Sequence, residues 1–264
     1  MTRVVDKMDF DAVAQHEGIS VCMATFNGAR HLDQQIESIL AQIASTDELI
    51  IVDDCSTDDT VKVVQKWRDP RIRLIENPRN VGHVRAFEVA ISAARERMIV
   101  LSDQDDVWPP GRIERLRGVL ATGSRVAIGR YQPLGGDGPA MSAERLIPFS
   151  GRYAAIGNVI FLFLGRLPHY ASCMAFRAEL KDTILPFPSS VEIHDHWISL
   201  AALLQNRAGG TDEIVTERRF HTNNLTPLTR RSPRLILRTR LRYVGQLVVL
   251  LKRLKESGSS QSRV

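Results

Sequence analysis

Short apolar runs alternate with helix-period patterns through the first 120 residues. Ile19 to Thr25 (ISVCMAT) has strand length and ends in a polar turn, after which Leu32, Ile36, Ile39, Leu40 and Ile43 recur at helical spacing. Glu48 to Val52 (ELIIV) reads as a buried strand. Thr57 to Trp67 reads as a helix with Ser56 or Thr57 near its N-cap and Val61, Val64 and Trp67 inward. Arg71 to Ile75 is a third strand, His83 to Ala94 a helix offering Val84, Phe87, Ala90, Ile91 and Ala94 to a core, and Met98 to Leu101 a fourth strand. This alternation predicts an α/β fold with a mostly parallel central sheet and right-handed crossovers, whose ligands bind beyond the carboxyl ends of the strands. The polar clusters there, Thr25-Phe26-Asn27, Asp53-Asp54-Cys55-Ser56 and Ser102 through Asp106, are therefore expected to converge.

The second half is less regular. Tyr131 to Pro139 reads as a turn-rich loop, Ile156 to Leu164 as an apolar patch, Ser172 to Phe176 as a strand, and His196 to Leu204 as a helix with Trp197, Leu200, Ala201 and Leu204 inward. Pro227, Ser232 and Pro233 mark a boundary. Beyond it Leu237, Leu241, Val244, Val248 and Leu251 fall on one helix face and Arg234, Arg238 and Arg242 on another. The expected organisation is an N-terminal extension (1–18), one domain (19–226) and a basic amphipathic C-terminal helical tail (227–264).

With 264 residues, 44% of them hydrophobic and 25% charged, the chain is globular rather than disordered. Its 35 Lys and Arg outnumber its 30 Asp and Glu, but from Leu228 onward ten basic residues face the single acid Glu256. The remainder is net acidic, so no nucleic-acid partner is expected. Cys22, Cys55 and Cys173 form neither a disulfide framework nor a zinc cluster and fit a reducing compartment. Residues 1–18 hold no signal-peptide core, and the longest candidate span, Leu247 to Leu251, is far too short to cross a bilayer. The expected location is cytoplasmic. The tail (230–256) has two readings: it lies in the interface of an anionic membrane, at its inner face, or it packs on the domain or on a second subunit of a homodimer.

Asp53, Asp54, Asp103, Asp105 and Asp106 accumulate like charge at two strand ends, which is costly unless a cation or hydrogen-bond donors offset it. In SDQDDVW an extended backbone aims Asp103 and Asp105 to the same side. Such oxygen ligands suit Mg²⁺ or Mn²⁺ that also holds substrate phosphates. The alternative is that both clusters only cap helices, the second of them the helix beginning near Pro110.

The segments ISVCMATFNGARHLDQQIESILAQ, ELIIVDDCSTDDT, RIRLIENPRNVGHVRAFEVAI, IVLSDQDDVWPPGRIERL, SCMAFRAEL, HDHWISL and RRFHTNN follow one another as in the family 2 inverting glycosyltransferases. That family has the GT-A fold, a Rossmann-like nucleotide-diphospho-sugar transferase fold. The resemblance covers about residues 19–226, with 19–120 as the nucleotide-binding half and 121–226 as the acceptor half. SDQDDVW, HDHW and the R-F-H-x-N-N run look most like bacterial rhamnosyltransferases of surface polysaccharides.

The resemblance implies a donor such as dTDP-rhamnose or a UDP-sugar, a glycan or lipid-linked acceptor, and Mg²⁺ or Mn²⁺. Thr25, Asn27 and Asp54 would border the nucleotide, Asp54 accepting the imide N–H of uracil or thymine. Asp103 would lie near the ribose and first phosphate, Asp105 would bind the metal, and Asp106 would support it. Asn80, Gly82 and Arg85 lie on a loop that approaches the nucleotide, with Arg85 either offsetting phosphate charge or a solvated helix residue. Asp195 matches the general base that deprotonates the acceptor hydroxyl as it attacks the anomeric carbon, although it can also cap the helix that follows. His194 and His196 would orient Asp195 or titrate with it. His221 and Asn223 resemble a late motif near the donor, His221 assisting metal or phosphate binding.

The chain departs from the family pattern in two places. Ala171-Ser172-Cys173 stands where Gly-Cys-Thr is common, which implies a differently shaped acceptor pocket, and no Q-x-x-R-W run follows Asp195, which argues against a processive synthase. A sugar nucleotidyltransferase would need an early glycine-rich loop with Arg and Lys, which MATFNGARHL lacks, and a nicotinamide dehydrogenase would need G-x-G-x-x-G. A non-catalytic, membrane-associated relative would keep the fold without turnover.

Overall fold

The computed structural model describes residues 17–136, 138–141, 145–151, 153–221 and 233–261. Strand and helix alternate from β1 (Ile19–Thr25) through α1 (Ala29–Leu40), β2 (Glu48–Asp53), α2 (Thr60–Lys66), β3 (Ile72–Glu76), α3 (His83–Ala93), β4 (Met98–Ser102) and α4 (Arg112–Ala121). With β5 (Val126–Pro133), β6 (Met174–Arg177) and β7 (Ala208–Arg218) they form a seven-stranded sheet in the order β3-β2-β1-β4-β6-β5-β7. β1 runs parallel to β2 and β4, β2 to β3, and β5 to β7, while β6 runs antiparallel to β4 and β5.

The central strands are continuous apolar runs because both sheet faces are covered. Alternate residues of β2 enter separate cores: Ile50 and Val52 join Phe87, Leu101, Phe176 and Trp197, whereas Leu49 and Ile51 join Ile36, Ile39, Val100 and Leu116. The second half adds α5 (Ala154–Phe163), α6 (Lys181–Ile184), α7 (His194–Leu204) and α8 (Pro233–Gln261).

Several expectations are corrected. α2 starts at Thr60, and Ser56 and Thr57 are kept out of it by the loop: Ser56 Oγ donates to Asp53 at 2.5 Å, and Thr57 N donates to Asn27 Oδ1 at 2.8 Å. Val63 rather than Val61 is buried. Neither acidic cluster caps a helix, since Asp59 and Gly111 occupy the N-cap positions of α2 and α4. Tyr131 to Pro133 end a strand instead of opening a loop. β7 escapes sequence reading because it pairs only with β5 and keeps much of its polar Ala208 to Glu213 stretch exposed, so it carries no apolar run.

α8 packs on the acceptor half. Gln246 donates to the Ser190 carbonyl at 2.9 Å, Arg253 to the Thr183 and Pro186 carbonyls at 2.9 and 2.7 Å, and Tyr243 bonds His196. The side chains of Arg234 and Leu237 lie outside the described residues, as do Asn223, the boundary at 227–232 and residues 1–16 of the N-terminal extension. Among the described residues no helix is long and apolar enough to cross a membrane.

Candidate active site

The loops after β1 and β2 cap each other's elements. Gly28 and Ala29, at the start of α1, donate backbone N–H groups to Thr60 Oγ1 at 2.9 Å and Asp58 Oδ2 at 3.2 Å. A side chain at position 28 would collide with Gln104, whose amide exchanges hydrogen bonds with the Phe26 backbone at 2.9 and 3.2 Å. Thr25 is buried and its hydroxyl donates to Asp53 at 3.2 Å. Asn27, exposed, bridges to Ser56 and Thr57. Thr25 and Asn27 thus shape the wall of the site through hydrogen bonds within the protein. Asp54 is buried, and its carboxylate accepts N–H groups from Asn77, Val81 and Gly82 at 2.9, 2.9 and 2.8 Å. It holds the loop 77–82 against β2 and retains one lone pair for another donor.

The acidic loop leaves β4 at Ser102 and turns at once, so Asp103 and Asp105 do not lie on an extended strand as the sequence suggested. Gln35 fixes the turn by donating to Ser102 Oγ at 2.6 Å and to the Asp103 carbonyl at 3.0 Å. Val107 and Glu217 exchange backbone hydrogen bonds of 2.9 and 2.8 Å, bringing the end of β7 against this loop. That bridge delivers Arg218, Arg219 and His221. His221 Nε2 lies 2.7 Å from Asp105 Oδ2, and its ring stacks on His31 with centroids 5.5 Å apart. Arg219 donates to the Asp106 carboxylate at 3.1 Å, the Asp105 carbonyl at 3.0 Å and Gln34 at 2.6 Å.

Arg218 opens the RRFHTNN segment but was given no role from sequence, because the resemblance there pointed to His221 and Asn223. It is buried, with its guanidinium 5.1 to 5.4 Å from the rings of Tyr131, Tyr170 and Phe220. Burial opposes its charge most, but Asp103, Asp106, Tyr131 and Tyr170 together raise its pKa. Arg112, also missed, is a wholly buried cation that donates to the carbonyls of Leu101, Ser172 and Val215 and to Thr216, tying β4 to β7. Burial lowers its pKa to about 10, so it stays charged at neutral pH.

Asp195 starts α7 opposite these groups. Its carboxylate accepts the His196 N–H at 2.7 Å and the Ala171 N–H at 3.2 Å, but it lies within the first turn and Ile193 occupies the N-cap position, so it is not the cap of its helix. Burial raises its pKa to about 6, against the pull of those hydrogen bonds, of His83 and of Arg218. Its field also acts on Asp103. The flanking histidines serve packing. His194 is buried against Phe87, with centroids 4.2 Å apart, has no hydrogen-bond partner at either nitrogen, and burial lowers its pKa to about 3. It stays neutral and does not titrate with Asp195. His196 bonds Tyr243 of α8.

Arg85 is not brought to the acidic loop. Its guanidinium pairs with Glu88 and donates to the Phe187 carbonyl at 2.8 Å. It lines, with Asn80, an open groove of about 990 Å³ to which Asp103, Asp105, Asp106 and Asp195 do not contribute.

The acidic loop fits a divalent cation. Burial raises the pKa of Asp103 and Asp106, and neighbouring carboxylates raise both further, so negative charge there is under-compensated even with Arg218 nearby. Asp106 Oδ2 is buried without a hydrogen-bond partner. Asp105 and His221 offer two adjacent donor atoms, and no group of three or more His, Cys, Asp or Glu forms a complete cage among the described residues. Two protein ligands are what a cation needs when substrate phosphates and water supply the rest.

Residues 20–182 match the family model described as Glycosyl transferase family 2. The chain belongs to this family. Over 207 residues this family 2 chain is 32% identical to the succinoglycan biosynthesis protein ExoO of Rhizobium meliloti (strain 1021), a match covering 75% of the chain and 58% of ExoO. Over 97 residues it is 36% identical to WfaP of Escherichia coli, named as a UDP-Glc:alpha-D-GlcNAc-diphosphoundecaprenol beta-1,3-glucosyltransferase, covering 37% of the chain and 39% of WfaP. Less than two thirds of either relative is matched. Staphylococcus aureus TarS 1–349 in complex with UDP-GlcNAc superposes with a TM-score of 0.65 at 20% identity, covering 89% of this chain and 72% of TarS. Glucosyl-3-phosphoglycerate synthase of Mycobacterium tuberculosis, solved with Mn²⁺, UDP and glucosyl-3-phosphoglycerate, gives 0.56 at 21% identity over 92% and 81%. The expected GT-A fold is therefore the fold of this chain.

Proposed function

We propose that this family 2 chain is a metal-dependent inverting glycosyltransferase that moves a sugar from a pyrimidine nucleoside diphosphate to a hydroxyl of a glycan or lipid-linked acceptor in bacterial polysaccharide synthesis. The observation that carries this reading is the pairing of Asp105 with His221 in an under-compensated acidic loop, with a separate carboxylate, Asp195, across Arg218. Asp105 and His221 would hold Mg²⁺ or Mn²⁺. A bound divalent cation neutralises charge on the departing diphosphate. Arg218 adds a fixed positive charge on the same side, pre-oriented by its aromatic surroundings. Asp195 accepts the acceptor proton, and its pKa of about 6 keeps it ionised yet basic at neutral pH. A direct attack assisted by one base inverts the anomeric centre.

The UDP-Glc donor in the name of WfaP favours a UDP-sugar, and the motif resemblance keeps dTDP-rhamnose as the other donor to test. Thermal shift of the purified chain with UDP, dTDP, GDP and CDP, with and without Mg²⁺ or Mn²⁺, tests the donor half. A metal-dependent rise with UDP or dTDP that is lost in Asp105→Ala is expected, about 2.7 kcal/mol of stabilisation at a hundredfold excess over Kd. No rise with any nucleotide would leave a non-catalytic binding module as the better reading.

A further inference from the structure

α8 is docked with its apolar stripe outward. Thr239, Tyr243, Gln246 and Leu250 are buried against the domain, whereas Leu241, Val244, Val248 and Leu251 are 66%, 49%, 47% and 50% exposed. α5 repeats the pattern: Tyr153, Ile156, Ile160 and Leu164, spaced as one helical face, are 69%, 61%, 50% and 48% exposed. Among the described residues these two stripes hold eight of the eleven exposed large hydrophobics, so this is a patch and not scatter. The helices meet where Arg240 of α8 lies 5.4 Å from the Phe163 ring near the end of α5. Arg238 is exposed at one end of the α8 stripe, and Lys252 and Lys255 at the other.

We propose that α5 and α8 together form an interfacial docking face for a bilayer containing anionic lipid. The charge pattern selects this occupant. In a two-fold contact between copies each patch meets itself, which crowds the arginine and lysines together, whereas anionic headgroups neutralise them while the apolar stripes enter the acyl boundary. The face is tied to the acceptor side of the site, since Tyr243 on its inner surface bonds His196 beside Asp195. A membrane-borne acceptor would then reach the base without leaving the surface. That consequence rests on the transfer reading, but the docking itself does not.

Flotation of the full chain with phosphatidylcholine vesicles, alone or mixed with phosphatidylglycerol, tests the proposal. The chain is expected to float with the mixed vesicles and to lose partition about fivefold for each of Lys252→Gln and Lys255→Gln. The pairs Leu241→Ser/Val248→Ser and Ile156→Ser/Ile160→Ser are each expected to lower it by about tenfold or more. Absence of flotation, or equal flotation on phosphatidylcholine alone, overturns the proposal, and indifference to the α5 pair overturns the joint face. A dimer in light scattering that the Leu241→Ser/Val248→Ser pair dissolves assigns the surface to a second copy instead. The metal-dependent nucleotide thermal shift is expected unchanged in these variants. Lost flotation with that shift intact defeats docking alone, and an absent shift with flotation intact defeats the transfer reading alone.

Discussion

The acidic loop after β4 and the single carboxylate at the start of α7 hold their charge in different ways. In the loop, burial and neighbouring carboxylates raise the pKa of Asp103 and Asp106 together, and one buried oxygen has no partner, so the cluster calls for outside positive charge. At Asp195 burial acts against two backbone N–H donors and the pull of His83 and Arg218, and the pKa settles near 6. A carboxylate that needs a cation can bind a diphosphate through it, whereas one already balanced by fixed dipoles is free to exchange a proton.

The largest expected effect comes from removing the balanced carboxylate. Asp195→Asn keeps one of the two accepting contacts at its single carbonyl oxygen and should lower kcat by about 10²- to 10⁴-fold in a transfer assay while leaving donor-induced thermal shift intact. A raised acid pKa means the ionised group disfavours the folded state once pH passes the folded value. The stability linked to the protonated form is present below the unfolded value and lost as pH rises through about 6. The melting temperature of Asp195→Asn relative to wild type should therefore rise as pH is raised from about 4 to 7, because only the wild type has to ionise this buried group. A difference that stays flat over that range would mean that the ionised carboxylate costs the fold nothing.

The complementary change, Arg218→Met, removes a cation whose field acts on Asp103 and Asp106 and should weaken donor binding by about 10- to 100-fold, read as KM for the donor, with a smaller effect on kcat. Arg218→Lys should recover only part of this, because an ammonium lacks the planar face that lies among Tyr131, Tyr170 and Phe220. The pH profile separates the two centres further. With Asp195 as base, kcat should fall about tenfold per pH unit below about 6 and level off above 7; a flat acid limb would remove Asp195 from the role. The smallest effect is expected at Arg85→Gln: with its guanidinium held by Glu88 and the Phe187 carbonyl, donor KM should change less than about threefold.

The first half of the domain was largely legible because βα units obey two local periods, and each strand of β1 to β4 was read to within one residue of its ends. The second half was less legible. β7 has no apolar run because it covers one sheet edge, α5 read only as an apolar patch because sequence does not say which face meets the core, and nothing in RRFHTNN tells that Arg218 is buried among rings. Motif resemblance pointed to Asp105, His221 and Asp195; for His194 it left orienting Asp195 or titrating with it, and burial opposes the second, and for Arg85 it left a phosphate contact or a solvated helix position, where Glu88 and the Phe187 carbonyl hold the guanidinium.

The sequence alone determined that polar strand ends would gather at one sheet edge, since parallel strands joined by crossovers point their carboxyl ends the same way. Tertiary structure decided what those ends meet. The Val107–Glu217 bridge carries His221 across 116 residues to Asp105, and the packing of α7 and Arg218 sets the basicity of Asp195. The same packing buries Thr239, Tyr243, Gln246 and Leu250 of α8 and leaves Leu241, Val244, Val248 and Leu251 outward. These outcomes depend on distances between elements that no local pattern encodes, because burial and field strength arise only when the elements are assembled.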